Sequence, residues 1–355
     1  MVECESPSDD QEALDRFVSL MSDVIAPMAK IRIFPHGHLR AEFHLPGTKK
    51  KGQIMALGHS DTVWPMGTLR SMPFRQEKGR LWGPGVLDMK SGLAFFVFAL
   101  RALRDLDVPV TKNVVLQLNA DEETGSATSR ALTEQTARKS DCVLVLEPGT
   151  GLEGKLKTSR KGVGAYRVAV HGKASHAGVD FDAGASAIVE LARQIERIAG
   201  FTDLKRGVTV NPGVVSGGTR SNVVAAEAEA EIDIRIARMK DAPGLERKFR
   251  ALRPVDKRCR IEVSGGLNRP PMERSEGIRD LFFHARGLAK EVGVELEESA
   301  TGGGSDGNFT AALGLPTLDG LGAVGEGAHA ANEGILVSRI ADRTALLAKL
   351  IASGY

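Results

Sequence analysis

Apolar residues along the chain fall into short runs of two different periods. In residues 9–28, Leu14, Phe17, Val18 and Met21 recur at helical spacing behind acidic residues, which predicts an amphipathic helix. Residues 53–58 form a short apolar run that stops at His59, and 114–118 and 142–146 are two more of strand length. Residues 92–106, containing LAFFVFAL, predict a buried helix. Short apolar strands alternating with helices predict an α/β domain with a largely parallel, mixed sheet flanked by helices. Ligands of such sheets gather beyond the carboxyl ends of the strands.

From about Lys161 the pattern changes. Tyr166, Val168 and Val170 alternate with polar or small residues, as in a half-exposed strand. A helix with Ile188, Leu191, Ala192, Ile195 and Ile198 on one stripe follows. Strands near 208–215 and 223–236, a helix near 244–252 and a strand at 260–263 complete a β-α-β-β-α-β order, the ferredoxin-like arrangement. This predicts an α+β domain at 161–269 inserted into a first domain made of 1–160 and 270–355. After Glu276 the pattern returns to helix, strand and Gly-rich loop, with a closing helix from about Ile335. The sequence has no internal repeat and no low-complexity segment.

A chain of 355 residues exceeds the size of one ordinary core, in keeping with two domains. A net charge of +2 gives no reason to expect nucleic acid or an anionic membrane as partner. The longest strongly apolar run, 93–100, is far short of the roughly 18–20 residues a bilayer requires. The start, MVECESPSDDQE, has neither the basic nor the apolar segment of a secretion signal, so the sequence as it stands points to the cytoplasm. Cys4, Cys142 and Cys259 are odd in number and far apart, which suits free thiols in a reducing compartment.

Side chains able to hold metal stand at strand ends or in Gly-rich turns. They are His59 with Asp61 in GHSDTVWP, Asp88 in GPGVLDMKSG, Glu122–Glu123 in NADEETGS, Glu147 in LEPG and His329 in EGAHAANEG. Taken singly, each has an ordinary explanation: a structural histidine, a helix-capping Asp88, a solvated pair of glutamates. Together they supply imidazole and carboxylate without thiolate, a chemistry suited to zinc, with manganese or cobalt as alternatives. Two imidazoles and even three of these carboxylates are too many for one tetrahedral zinc with an open position. They suffice for two metals about 3.5–4 Å apart that share a carboxylate.

These motifs, with TSRKG at 158–162, GKASHAG at 172–178, SNVV at 221–224 and TGGGSD at 301–306, resemble the zinc aminoacylase and carboxypeptidase family. Within it they are most similar to the folate-cleaving glutamate carboxypeptidase branch. The resemblance implies hydrolysis of an amide bond beside a free carboxylate, releasing a C-terminal glutamate or deacylating an N-acyl amino acid. Acylated ornithine or diaminopimelate would use the same chemistry. It implies two zinc ions, with His59, Asp88 and Glu147 on one, Asp88, Glu123 and His329 on the other, and Asp88 as the bridge. Asp61 would orient His59, the peptide after Asp88 would be cis, and Glu122 would be the general base acting on a water shared by the two ions.

The same resemblance gives roles to residues that otherwise read plainly. His176 is a turn histidine, Arg235 an exposed charge on a sheet face, and Arg269 a residue at the domain junction. By resemblance His176 reaches the active site of a partner subunit and binds the developing oxyanion, which implies a homodimer through the inserted domain. Asn222, Arg235, Arg269 and Gly304 would line a pocket for the substrate's carboxylate, a partner suited to the guanidinium fork. The inserted domain would close over the substrate as a lid. A further helix before Glu5 is also implied, and a periplasmic or secreted location would follow if a leader had been removed.

Two motifs suggest other classes. Gly320 to Gly325 fits G-x-G-x-x-G, but no helix opens after it as a dinucleotide site requires. Gly303 to Gly307 fits G-x-S-x-G, with Asp319 and His329 following in the order of a serine-hydrolase triad. A Ser305 hydrolase would leave His59, Asp88, Glu122, Glu123 and Glu147 without a purpose.

Overall fold

The computed structural model of the protein describes residues 1–48 and 50–355. It divides into two compact units, one of Met1–Ser159, Met272–Thr301 and Ser305–Tyr355, the other of Arg160–Pro271 with Gly302–Gly304.

In the first unit Asp10 accepts the N–H of Ala13 at 2.9 Å and opens the helix Gln11–Ile25, which buries Leu14, Phe17, Val18 and Met21. Gln53–His59 runs parallel to Asn113–Asn119 on one side and to Cys142–Val145 on the other. Successive residues of Gln53–His59 serve two cores. Ile54 and Ala56 join Phe96, Leu100 and Leu116, while Met55 and Leu57 join Val143 and Val145. Both faces of the strand are covered, which is why it reads as a continuous apolar run. The helices Ser91–Asp105 and Ile340–Ser353 pack against each other. Thr317–Leu318 adds a parallel strand beside Cys142–Val145.

Two features were not expected from the sequence. Ala29–Phe34 and His38–Phe43 form an antiparallel hairpin on the far side of Asn113–Asn119, making the sheet six-stranded. The outer strand, AKIRIF, leaves Lys30, Arg32 and Ile33 in solvent and so carries no apolar run. The closing helix begins at Ile340 rather than near Ile335, because Gly334–Leu336 pairs with Arg80–Trp82 in a second small sheet. Gly334 lies flat on Trp82, where a Cβ would come within 2.6 Å of the indole. Among the described residues no helix is long and apolar enough to cross a membrane.

The second unit has the predicted β-α-β-β-α-β order. Gly162–His171, Thr209–Gly217, Glu227–Ile236 and Arg260–Arg269 make one antiparallel sheet, with Glu227–Ile236 and Gly162–His171 in the middle. Val168, Val170, Ile232 and Ile234 alternate inward onto the helices Ala187–Ala199 and Ala242–Arg250, and Tyr166 stacks on Phe249 at 3.8 Å.

Candidate metal centre

Parallel strands in register deliver their carboxyl ends side by side. His59 pairs with Asn119 and Leu57 with Val145, so His59, the loop 120–123 and Glu147 all leave the sheet at one edge. Asp88 arrives from the turn before Ser91–Asp105, where a Cβ on Gly92 would stand 2.0 Å from the carbonyl oxygen of Leu146. Only glycine lets the helix start that close to the strand carrying Glu147. The peptide between Asp88 and Met89 is cis, and Met89 Sδ accepts the His59 N–H at 3.2 Å. His329 stands in the Gly-rich turn between Gly325–Glu326 and Gly334–Leu336.

The five side chains converge in two overlapping sets. His59 Nε2 lies 3.2 Å from Asp88 Oδ1 and 3.4 Å from Glu147 Oε1. His329 Nε2 lies 3.3 Å from Asp88 Oδ2 and 3.3 Å from Glu123 Oε1. Asp88 therefore presents one oxygen to each imidazole. Ligand atoms of His59, Asp88 and Glu123 lie within 4.8 Å of one another.

This donor set fits divalent cations. With bonds of about 2.0–2.1 Å, a tetrahedral ion holds its ligand atoms about 3.3–3.4 Å apart, which the four contacts match. Glu123 Oε1 is buried and makes no well-aligned hydrogen bond, its 3.3 Å ion pair with the His329 imidazole apart, although a buried carboxylate oxygen needs partners. The electrostatics agree. Burial opposes charge on His59, yet Asp61, Asp88 and Glu147 outweigh it and hold the imidazole well above its ordinary pKa. Asp88 and Glu123 push His329 up to about 10. Burial would raise Asp88, but His329 and His59 hold it far below the usual carboxylate range, whereas burial keeps Glu123 above it. The acidic cluster thus gathers positive charge between its members, where a metal would displace protons.

Asp61 is buried beside this group. His59 Nδ1 is 2.9 Å from the Asp61 carbonyl oxygen and 3.4 Å from its carboxylate. That carboxylate accepts the N–H groups of Glu122 at 3.2 Å and Glu123 at 3.1 Å, and the Ser8 hydroxyl at 2.9 Å. Glu122 is thereby fixed through its main chain next to Glu123. Asp306 supports the same loop, accepting from Asn119 Nδ2 at 2.6 Å and from the Ser126 hydroxyl.

The other expected site residues lie in the second unit, in two groups. Arg269 is buried against Gly304, whose Cβ would come within 3.0 Å of Arg269 Cδ, and Arg235 Nη1 points to the Gly302 carbonyl at 3.4 Å. Arg235 also forks onto Asp233, at 2.9 Å and 2.8 Å. Arg160, to which the sequence pattern assigns no role, donates to the carbonyls of Gly303 and Gly304 at 3.1 and 2.8 Å. His176 and Asn222 form the second group, joined by the bridge of His176 to Val223 and by the Ala177 N–H donating to the Asn222 carbonyl at 3.0 Å. The sheet register separates the groups. Arg235 pairs with Val163, while His176 follows His171 at the far end of that strand, roughly 25 Å along it.

The two rival motifs have other uses. Ser305 is buried and its hydroxyl donates to Asp319 at 2.7 Å, while the His329 imidazole is with Asp88 and Glu123. The stretch 320–325 leads into the strand Gly325–Glu326 rather than a helix.

An α/β fold that gathers imidazoles and carboxylates at one end of its parallel strands is suited to metal-dependent hydrolysis. The chain belongs to Peptidase family M20/M25/M40, which matches residues 55–353, and is a metallopeptidase or amidohydrolase. It is 32% identical over 304 residues to carboxypeptidase G2 of Pseudomonas sp. (strain RS-16), spanning 84% of this chain and 73% of that protein. Its fold is shared with aminopeptidase PepT of Bacillus cereus, at a TM-score of 0.79 and 21% identity, covering 99% of this chain and 95% of that one. It is also shared with the Bacillus subtilis YXEP protein, described as a dinuclear metal-binding peptidase, at 0.72 and 14%, covering 99% and 94%.

Proposed function

We propose that the protein is a di-zinc carboxypeptidase-type hydrolase that cuts an amide bond next to a free carboxylate, with release of a C-terminal glutamate as its best-supported reaction. The observation that carries this is the division of Asp88 between two imidazoles, each with a carboxylate of its own. His59, Asp88 and Glu147 would hold one zinc, and Asp88, Glu123 and His329 the other. When bound, two such ions acidify a water and polarise the scissile carbonyl. Glu122 is the general base, taking the water's proton and delivering it to the leaving nitrogen. Its neighbour Glu123 serves as ligand, the turn that begins at Glu122 being held by the two main-chain N–H groups that Asp61 accepts.

The likeness to carboxypeptidase G2 supports a substrate with a terminal carboxylate. Arg269 beside Gly304, and Arg235 if it exchanges Asp233 for the substrate, supply guanidinium groups suited to that group, with Asn222 as a further polar contact. The second unit acts as lid and dimerisation domain. Its edge strand Thr209–Gly217 exposes Val214 and Val215, and an apolar groove of about 270 Å³ runs between that strand and Ile188, Leu191 and Ile195. Within one chain His176 and Arg235 sit at opposite ends of the sheet, so an active site that uses both takes them from two copies.

The test is a hydrolysis screen of N-acyl amino acids, with folate-type glutamates, acetylornithine and succinyl-diaminopimelate included. Activity should vanish on chelation and return with zinc, and Glu122→Gln should lower kcat about 10²–10⁴-fold with both metals retained. Activity indifferent to a chelator, or full turnover by Glu122→Gln, would refute the reading.

A further inference from the structure

Glu333 is fully buried, four residues beyond His329, and its carboxylate accepts four N–H groups. Oε1 takes the main-chain N–H of Leu87 at 2.8 Å and of Asp88 at 3.0 Å. Oε2 takes the N–H of Gly85 at 2.9 Å and the Trp64 indole N–H at 2.7 Å. An ionised carboxylate offers about four acceptor sites and no donor, so this arrangement uses it fully. A glutamine in its place would turn an NH2 group toward two N–H donors.

The donors come from segments that carry metal-ligand side chains. Trp64 lies in the turn that begins at His59. Gly85, Leu87 and Asp88 form the turn that presents Asp88. Glu333 itself closes the turn that presents His329, donating its own N–H to the Ala330 carbonyl at 2.9 Å. One buried carboxylate therefore ties together the segments of His59, Asp88 and His329. Asp88 is the residue whose two oxygens face both imidazoles, so a shift of its main chain disturbs both donor sets at once.

We propose that Glu333 is a positioning residue for the metal centre, fixing the shared carboxylate of Asp88 and its two imidazole partners through main-chain and indole hydrogen bonds. This rests on the metal-centre reading above. Outer hydrogen-bond partners of this kind are worth about 10–100-fold in metal affinity.

The test compares wild type, Glu333→Gln and Trp64→Phe for zinc affinity, by competition with a chromophoric chelator, and for the visible spectrum of the cobalt-substituted protein. Circular dichroism of the metal-free forms reports the fold. Glu333→Gln should bind both zinc ions about tenfold or more weakly and show an altered cobalt spectrum on a folded chain. Trp64→Phe, which removes one of the four donors, should move in the same direction by less. Wild-type affinity and spectrum in Glu333→Gln overturn the inference. If that variant does not fold, Trp64→Phe decides, and unchanged affinity and spectrum there overturn it. A wild-type protein that takes up no metal sinks the metal-centre reading and this inference together, whereas two ions held equally by wild type and variants sink the inference alone.

Discussion

Asp61 accepts the main-chain N–H of Glu123 at 3.1 Å through Oδ2, while its other oxygen accepts the N–H of Glu122 at 3.2 Å. One buried carboxylate thus holds the main chain of a proposed ligand and of the proposed base, besides standing 3.4 Å from the His59 ring. Its contribution exceeds the single contact with His59 that the sequence suggests. Without it the loop 121–124 loses the anchor that sets the two glutamates on their separate courses.

Asp61→Asn keeps the size of the side chain but turns an NH2 group toward one of these donors. Zinc affinity or kcat is expected to fall about 10–100-fold with little change in KM, since the substrate's own contacts are untouched. Titration with a competing chelator and steady-state kinetics provide the check. A variant matching wild type in both would show that the two N–H contacts are incidental.

The proposed sharing of Asp88 makes metal stoichiometry informative. Glu123 and His329 belong to one donor set, His59 and Glu147 to the other, and Asp88 to both. His329→Ala is therefore expected to lower tightly bound zinc from two ions per chain to one, and His59→Ala likewise. Asp88→Ala should abolish tight binding at both positions. Elemental analysis after desalting measures this directly. If Asp88→Ala retained one ion as firmly as wild type, the carboxylate would not be shared.

The parts of this centre that were legible in the sequence are those fixed by local pattern. Residues 53–58 read as a buried strand because both of its faces meet a core, and a candidate ligand at its end follows from strand direction. Glu333 was not legible. Its partners lie 245 to 269 residues away, three of them main-chain N–H groups that carry no sequence signature and the fourth the Trp64 indole. Arg160 escaped for the same reason, since it is held by two glycine carbonyls across more than 140 residues. The outer strand Ala29–Phe34 was invisible because an exposed strand with alternating basic residues resembles a loop. A usable signal for Glu333 existed nonetheless: an acidic residue four positions beyond a candidate ligand histidine, in an Ala- and Gly-rich turn.

Away from the metal centre, Glu190 provides a prediction about pH. Its buried carboxylate accepts the N–H groups of Val255 and Asp256, each at 2.9 Å, and Gln194 Nε2 at 2.7 Å. Burial alone would raise its pKa, but these bonds, with Arg193, outweigh burial and leave the group below its ordinary value. The folded chain then binds fewer protons here than the unfolded one. Its contribution to stability is present above the ordinary glutamate range near 4.5 and is lost as pH falls through the lower folded value. Glu190→Gln should destabilise the second unit by about 1–3 kcal/mol at neutral pH, by turning its amide toward backbone donors. The gap in thermal midpoint between wild type and variant should be widest at pH 7 and narrow below pH ~4.5. Calorimetry across that range tests it, and a gap that stayed constant or widened in acid would show that the carboxylate's charge is not what Val255 and Asp256 hold.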